Sequence, residues 1–263
     1  MLLPTRQRAR CSTWPDPTAV DLIEVVPQIA STNAALLARV AGQEVLREGH
    51  WLVADRQTAG RGRAGRVWFD GLGNFMGSTV ALLRAGDPLP QTLSLVAGVA
   101  LARTVSAIAQ LPGLFLKWPN DLLVDGQKLA GILLERQGDT VVVGIGVNIA
   151  AAPEVPGRRT TCLTELGIRI ERDTFAQLLA DEWAAALARW HDGDWQGLRR
   201  EWLDRAYPTG TLVSVKDAAQ GEIIGSFAGL GDDGVAYLRL ADGTRHAIHA
   251  GDIEMVGNDA SCD

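Results

Sequence analysis

Lysine is scarce in this sequence, and two of its lysines lie close together. Of 25 basic residues three are lysine (Lys117, Lys128 and Lys216), and the first two fall within twelve residues of each other. An ammonium is a compact point charge, whereas a guanidinium is a planar fork, so the two are not interchangeable where one anionic atom must be neutralised. Lys117 and Lys128 are therefore the first candidates for chemistry on an anionic substrate.

A glycine-rich segment at residues 60–68 carries three arginines within seven positions and ends at Trp68. It formally contains the dinucleotide pattern G-x-G-x-x-G, but that pattern needs a following helix, and Gly71 and Gly73 break the next residues. No GK[ST] sequence follows, which excludes a P-loop. A mobile basic surface loop is the plainest alternative. Because neighbouring guanidiniums repel each other unless an anion lies between them, the segment favours an anion-binding flap.

The helical and strand patterns around these residues predict an α+β chain in three parts. Residues 1–20 contain three prolines and predict a poorly ordered arm, followed by a large domain over 21–208 and a small β domain over 209–263. Helical patterns cover residues 31–41, 89–110, 172–190 and 195–206. Strand patterns cover 51–54, 76–83, 114–117, 129–135 and 140–147, then 211–216, 222–227, 235–240, 245–248 and 253–256.

Composition excludes several classes of protein. Hydrophobic residues make up 47% of the chain and charged residues 21%, which is a globular composition. The net charge of −6 argues against general nucleic-acid binding. Three widely spaced cysteines favour neither a disulfide framework nor a zinc site, so we expect a cytoplasmic location. We expect no signal peptide and no membrane-spanning segment, because no apolar run approaches the required length.

Four motifs occur in an order that resembles the biotin–protein ligases. They are GRGRAGRVW (60–68), KWPNDLL (117–123), KLAGILLE (128–135) and GIGVN (144–148), preceded by Ser31-Thr32-Asn33 and Gln57. The resemblance implies a mixed β-sheet catalytic domain with flanking helices, followed by a small SH3-like β-barrel. It also implies a two-step reaction. Biotin attacks the α-phosphate of ATP to give biotinyl-5′-AMP, and a lysine of a biotin carboxyl carrier domain then displaces AMP.

The resemblance assigns roles to particular residues. The biotin-binding set is Ser31, Thr32, Asn33, Gln57, Gly60, Arg61, Gly62, Trp68, Lys128 and Gly131. The set for ATP and the adenylate is Arg63, Arg66, Trp68, Lys117, Asn120, Asp121 and Asn148. Lys128, Arg63 and Arg66 carry catalysis, with Lys128 bridging the biotin carboxylate and the α-phosphate. Mg²⁺ is expected to accompany ATP, with Asp121 as its one candidate ligand in the chain.

Each assignment has a structural alternative. Gly131 would also suit a bulge or close packing, and Lys128 would suit the exposed end of a hairpin. Asn120 and Asp121 would also serve as turn caps. We expect the Asn148 amide to bond adenine through one donor and one acceptor, the alternative being a buried cap at a strand end.

Two further questions concern the class of enzyme. A lipoate or octanoate ligase or transferase of the same superfamily is the alternative activity, although the arginine-rich flap does not resemble that arrangement. Regulatory relatives carry an N-terminal DNA-binding segment, which the residues before Ser31 do not resemble, so we expect neither DNA nor a membrane as a partner. The identity of the carrier, the oligomeric state and the role of the β domain stay open.

Overall fold

The computed structural model describes residues 23–217, 221–249, 251 and 253–256. The first part of the chain folds as β1 (Ile23–Ile29), α1 (Thr32–Ala41), β2 (Trp51–Gln57), β3 (Phe75–Leu82), α2 (Leu93–Ile108), β4 (Leu114–Lys117), β5 (Asp121–Val124), β6 (Gln127–Gln137), β7 (Thr140–Val147), α3 (Arg172–His191) and α4 (Trp195–Asp204). The second part folds as β8 (Leu212–Asp217), β9 (Gly221–Leu230), β10 (Ala236–Arg239), β11 (Arg245–Ile248) and β12 (Ile253–Met255).

Strands β1 to β7 form one mixed sheet in the order β1-β2-β3-β7-β6-β5-β4. The pair β1–β2 is parallel and is joined by the crossover through α1, while the other pairs are antiparallel. The β6–β7 hairpin places Gly131 directly opposite Gly146 near the middle of the sheet. This is the mixed sheet that the sequence predicts.

The two faces of the sheet have different coverings. Alternate residues of β7 show the division, because Val143 packs in the large core with α2 and α3, whereas Val142 packs in a smaller cluster with α1. Gly144 and Gly146 follow Val142 at intervals of two and therefore lie on the α1 face. Here the Asn33 side chain of α1 packs over Gly144, and the Trp68 ring packs over Gly146.

Most predicted elements are present, with two omissions. Helix α1 begins after Ser31, whose hydroxyl accepts a hydrogen bond from the Ala34 N–H at 3.4 Å. Strands β4 and β7 match their predicted bounds, whereas α2 begins at Leu93, after a short 3₁₀ turn at Pro90–Thr92. Strands β1 and β5 were not predicted. The arm at residues 1–20 lies outside the described residues.

Helix α2 is almost wholly apolar and lies in the core. By length and composition alone the segment Pro90–Ile108 would be long and apolar enough to cross a membrane, and 67% of its apolar window is buried inside the protein. The expectation that no segment approaches that length is therefore wrong. Burial against α3 and the sheet accounts for its apolar character without a membrane.

The second sheet is antiparallel, in the order β11-β10-β9-β8-β12, as expected for a small SH3-like unit. It packs on the first part of the chain, since Val213 and Phe227 belong to the same hydrophobic core as α2. The indole N–H of Trp118 donates to the Gly234 carbonyl at 3.0 Å across this contact. A boundary between residues 208 and 209 stays a prediction.

Candidate active site

A cavity of about 420 Å³ opens on the α1 face of the mixed sheet. The flap (residues 60–68) and the loop after β7 form parts of its wall, together with β6, β7 and the first residues of α1. Sequence-predicted residues that line it are Ser31, Thr32, Asn33, Gln57, Arg61, Gly62, Arg63, Arg66, Trp68, Asn120, Asp121, Lys128, Gly131 and Asn148. The fold therefore brings nearly all of the predicted site together.

A chain of buried hydrogen bonds begins at the start of α1. The Thr32 backbone N–H donates to Gln57 Oε1 at 2.8 Å, and Thr32 Oγ1 lies 2.6 Å from Ser78 Oγ. Ser78 Oγ donates to Asn33 Oδ1 at 2.5 Å, and Asn33 Nδ2 donates to Glu135 Oε2 at 2.9 Å. Because a carboxylate only accepts hydrogen bonds, Asn33 turns its Nδ2 toward Glu135 and its Oδ1 toward Ser78. Ser78 is therefore the donor to Asn33.

This direction determines what Thr32 offers to the cavity. The single hydroxyl hydrogen of Ser78 is used on Asn33, so at 2.6 Å the Thr32 hydroxyl donates to Ser78 in preference to Gln57 Oε1, which lies farther away at 3.2 Å. The lone pairs of Thr32 Oγ1 are then left as acceptors, whereas the Ser31 hydroxyl, which already accepts from Ala34, keeps its hydrogen to donate. The pocket thus presents an acceptor beside a donor, with the Gln57 amide next to them.

The flap is held by partners that the sequence did not reveal. Arg61 forms a 2.8 Å ion pair with Glu135, and Arg63 donates to Asn120 Oδ1 at 3.1 Å. A short 3₁₀ turn at Arg63–Gly65 separates Arg63 from Arg66, with Ala64 in the left-handed region at φ 53°. The anion that Arg61 meets is the Glu135 carboxylate of the chain itself.

Trp68 lies over the two facing glycines of the β6–β7 hairpin. A Cβ atom at Gly146 would overlap the indole ring, and one at Gly131 would lie 3.0 Å from it. Lys128 Nζ is 5.7 Å from the ring centroid. We expected Gly131 to let the backbone approach a biotin ring closely. In this structure the Trp68 ring occupies the space beside Gly131.

Lys128 is partly buried at the start of β6 and is paired with one carboxylate. Its Nζ lies 2.5 Å from Asp121 Oδ1, on the neighbouring strand β5. Burial lowers the pKa of Lys128, and the charge of Asp121 opposes that shift. The exposed hairpin-end alternative for Lys128 is therefore wrong.

The same contact engages one oxygen of the candidate metal ligand Asp121, whose role toward Mg²⁺ stays a prediction. Its Oδ1 is engaged by Lys128, and the described part of the chain contains no cluster of three His, Cys, Asp or Glu residues suited to a metal ion. Asn120 is occupied too, since its Nδ2 donates to the Ile132 carbonyl at 2.7 Å while its Oδ1 accepts from Arg63. These two residues position Lys128 and Arg63.

Asn148 is buried at the end of β7, and the NH₂ group of its side-chain amide is hydrogen-bonded whereas the oxygen is not. Its Nδ2 donates to the Thr161 carbonyl at 3.1 Å, which matches the strand-end alternative. Its Oδ1 is buried and has no hydrogen-bond partner among the described residues. The expected pairing of adenine with both a donor and an acceptor is therefore wrong, and what Asn148 leaves for a ligand is an acceptor.

Lys117 is the predicted site residue that points elsewhere. Its Nζ pairs with Glu254 of β12 at 2.7 Å, so it joins the two sheets, and it is not among the described residues that line the cavity. Gly60 is likewise outside the lining, where its backbone carbonyl accepts from the Trp68 N–H at 3.0 Å. The expected contact of Lys117 with pyrophosphate is not supported by this geometry.

The sequence reasoning missed several residues of the site. Ser78, Glu135 and Arg158 carry hydrogen bonds or charge at the cavity and lie outside the assigned sets. Gly144 was not assigned either, although a Cβ there would overlap the Asn33 amide. The alternation of glycine and aliphatic residues in GIGVN was the signal available for Gly144. Nothing in the sequence signalled Arg158.

Comparison with known proteins agrees with this geometry. Residues 25–149 match the model of the biotin/lipoate A/B protein ligase family. The biotin–[acetyl-CoA-carboxylase] ligase of Paracoccus denitrificans is 36% identical over 239 residues, covering 86% of this chain and 98% of that protein. The enzyme of that name in Mycobacterium tuberculosis is 35% identical over 237 residues, or 88% of each chain. The biotin protein ligase from Aquifex aeolicus in complex with biotin and ATP aligns with a TM-score of 0.76 at 26% identity, covering 88% of this chain and 97% of that one.

Proposed function

Because the chain belongs to the biotin–protein ligases, we propose that it activates biotin with ATP and transfers biotin to a carrier protein. Its product of the first step is biotinyl-5′-AMP, and the acceptor in the second is a lysine of the biotin carboxyl carrier domain of acetyl-CoA carboxylase. One observation carries the proposal: a directional hydrogen-bond array and a partly buried lysine line the same cavity.

The array suits the ureido ring of biotin, which has two N–H donors and one carbonyl acceptor. Thr32 Oγ1 accepts from a ureido N–H, and the Ser31 hydroxyl donates to the ureido oxygen. Gln57, whose Oε1 is held by the Thr32 N–H, presents its Nε2 as a second donor. A ring without this pattern would leave buried polar groups unpaired, which costs about 1–3 kcal/mol for each group.

Lys128 supplies positive charge where the two anions meet. The biotin carboxylate oxygen attacks the α-phosphorus, forming the P–O bond of the mixed anhydride as pyrophosphate leaves. Asp121 orients the Lys128 ammonium, and Arg63 and Arg66 extend positive charge along the flap. Fixed charges of this kind act without reorganisation during the reaction, so catalysis rests on positioning and electrostatics.

Transfer needs no covalent enzyme intermediate. The carrier lysine attacks the anhydride carbonyl, the C–O bond to the phosphate breaks, and AMP departs as the amide forms. Trp68 covers the glycine-lined floor and excludes water from the anhydride. Asn148 Oδ1 accepts from the exocyclic amine of adenine, which satisfies an otherwise orphaned buried atom.

Mg²⁺ belongs to the nucleotide in this proposal. The described residues offer no cluster to hold the ion, and the carboxylate nearest the phosphates is engaged by Lys128. Mg²⁺ commonly binds through substrate phosphates and water, so ATP itself would provide its ligands. A cytoplasmic location, where ATP and the carrier are found, stays a prediction.

Biotin-dependent exchange of pyrophosphate into ATP tests the first half-reaction and separates biotin from lipoate. We expect exchange with biotin and none above background with lipoate or octanoate, because those acids lack the ureido ring. The Thr32→Val variant is the matched probe, since it keeps the shape of Thr32 and removes its oxygen. Exchange supported by lipoate as well as by biotin would overturn the choice of substrate.

A further inference from the structure

Glu135 lies near the end of strand β6, on the face of the sheet that α1 covers. It is paired across the β6–β7 hairpin with Val142, which packs in the cluster with α1. Leu133 and Gly131, two and four residues earlier, share this face and line the cavity. Glu135 is 25% exposed and is not among the described residues that line the cavity. Any effect of Glu135 on a ligand is therefore exerted through other residues.

A single oxygen of Glu135 joins the start of α1 to the flap. Its Oε2 accepts from Asn33 Nδ2 at 2.9 Å and from the Arg61 guanidinium at 2.8 Å. Asn33 belongs to α1, and Arg61 belongs to the flap, and both line the cavity. The two elements thus meet at one carboxylate that strand β6 holds in place.

Packing leaves the Asn33 amide little freedom except a half-turn that exchanges its oxygen and nitrogen. A Cβ at Gly144 would overlap this amide, so the side chain lies directly on β7. After a half-turn Oδ1 would face the Glu135 carboxylate, and two acceptors repel each other. The Leu133 carbonyl, 3.4 Å from Nδ2, favours the observed orientation through a longer bond. Glu135 therefore contributes most to the orientation in which Oδ1 accepts from Ser78.

We propose that Glu135 is a positioning residue for biotin, which acts on the ureido ring through Asn33 and on the flap through Arg61. This inference rests on the proposed function. Because Asn33 takes the Ser78 hydrogen, the Thr32 hydroxyl donates to Ser78 and keeps its lone pairs for a ureido N–H. Through Arg61, the same carboxylate holds the flap at the cavity. In Glu135→Gln the new amide can donate to Asn33, so both orientations of the Asn33 amide become accessible.

The experiment compares Glu135→Gln with the matched control Glu24→Gln. Glu24 is 35% exposed and pairs with Arg39 of α1 at 2.7 Å, and neither residue lines the cavity. For Glu135→Gln we expect the dissociation constant of biotin to rise at least about threefold, the lower end for one hydrogen bond and one partly exposed ion pair. The kcat of biotin-dependent exchange should stay within about twofold, because the loss is in binding. Both quantities should stay within about twofold in Glu24→Gln.

A double-variant cycle with Thr32→Val tests the connection from Glu135 to the ureido site. Ser78 and Asn33 link Thr32 to Glu135, so the two substitutions act on one hydrogen-bond network. Once the Thr32 oxygen is gone, the orientation of Asn33 no longer affects it. The double variant should therefore bind biotin about twofold or more tighter than the product of the two single losses implies. Thr32→Val combined with Glu24→Gln should be additive.

Three results would overturn the inference, and one of them reaches further. Additive losses in both cycles, or wild-type biotin affinity in Glu135→Gln, would overturn it while leaving the proposed function intact. A fall in kcat that matches the loss of biotin affinity, together with a lower free energy of unfolding in urea, would indicate a structural role and would also overturn it. A wild-type protein that binds no biotin would overturn the proposed function, and this inference with it.

Discussion

Lys128 and Lys117 each form an ion pair with a carboxylate, but the two pairs lie in different parts of the molecule. Each lysine is largely shielded from solvent, with Lys117 8% and Lys128 15% exposed, and each meets a single carboxylate, Glu254 for Lys117 and Asp121 for Lys128. The Lys128 pair lies within one sheet and faces a cavity, whereas the Lys117 pair joins the first sheet to β12 of the second. The Lys128–Asp121 pair therefore lies beside a cavity that could hold a charged ligand. The Lys117–Glu254 pair instead forms part of the contact between the two sheets.

The scarcity of lysine therefore marks two ion pairs that are shielded from solvent, and only the pair that faces a cavity is placed to act on a substrate. Burial explains the choice of lysine in both places, because a flexible stem can carry its ammonium through an apolar layer to one partner. What separates them is the partner's origin, a neighbouring strand in one case and a distant part of the chain in the other.

Replacement of Lys128 by alanine should have the largest effect. We expect biotinyl-5′-AMP formation to fall by at least about 10²–10³-fold, the loss seen when one preorganised charge or donor at a reacting oxyanion is removed. A position at the start of a strand would suggest a stability cost of about 1 kcal/mol or less. Because Asp121 is left buried and unpaired, we expect a cost nearer about 3 kcal/mol.

The double variant Lys128→Ala with Asp121→Asn is the control for stability. It removes both charges, so denaturant unfolding should recover part of the lost free energy while adenylation stays low. A single Lys128→Ala variant that is folded and forms the adenylate at the wild-type rate would remove Lys128 from the mechanism.

Replacement of Arg63 by glutamine should weaken the binding of biotinyl-5′-AMP. Arg63 lines the cavity beside Asn120, so we expect biotinyl-5′-AMP to dissociate about 10- to 100-fold faster, with biotin affinity almost unchanged. Arg61→Gln is the comparison, because the Arg61 guanidinium is held by Glu135 and should matter less. Equal release rates for wild type and Arg63→Gln, measured with radiolabelled adenylate, would place Arg63 outside the phosphate site.

The Lys117–Glu254 pair should affect stability more than chemistry, and unequally. The Lys117 side chain is 8% exposed and that of Glu254 is 54% exposed. Glu254→Gln therefore leaves a buried ammonium without its carboxylate, at a cost of about 1–3 kcal/mol. Lys117→Met leaves a solvated carboxylate, at a cost below about 1 kcal/mol. Urea unfolding of the two variants checks the order, and a loss of adenylation comparable to that of Lys128→Ala would break the distinction between the lysines.

The pH dependence of adenylation should sharpen the role of Asp121. Burial lowers the pKa of Lys128, so the alkaline limb of the rate should have its midpoint below the ordinary range for lysine. Asp121 raises that pKa by its charge and hydrogen bond, and Asp121→Asn should therefore move the midpoint to lower pH. An alkaline limb that does not move in Asp121→Asn would show that another group titrates there.

Local patterns could predict much of the fold, and the resemblance of four motifs to the biotin–protein ligases predicted most of the site. Periodicity predicted α1 and β7, and the spacing of glycines predicted the flap. Strand β1 was missed because Pro27 interrupts a short segment at the sheet edge, where proline is tolerated. Strand β5 was missed because its first residue, Asp121, reads as part of a turn.

The partners of the site residues could not be predicted in the same way. Glu135 and Ser78 reach Asn33 only after β3 and β6 are placed around β7, and nothing local in their segments signals that contact. Glu254 meets Lys117 across 137 positions of sequence. Such pairings depend on tertiary structure, so residue types alone indicate charge but not the partner that balances it.

The proposed transfer of biotin is tested most directly by the mass of a carrier domain that has been incubated with the enzyme, biotin and MgATP. We expect an increase equal to one biotinyl group on a single carrier lysine. We expect no increase without ATP, with lipoate in place of biotin, or with Lys128→Ala over the same time. A carrier that gains no mass while the folded wild-type enzyme binds both biotin and ATP would contradict the proposed transfer.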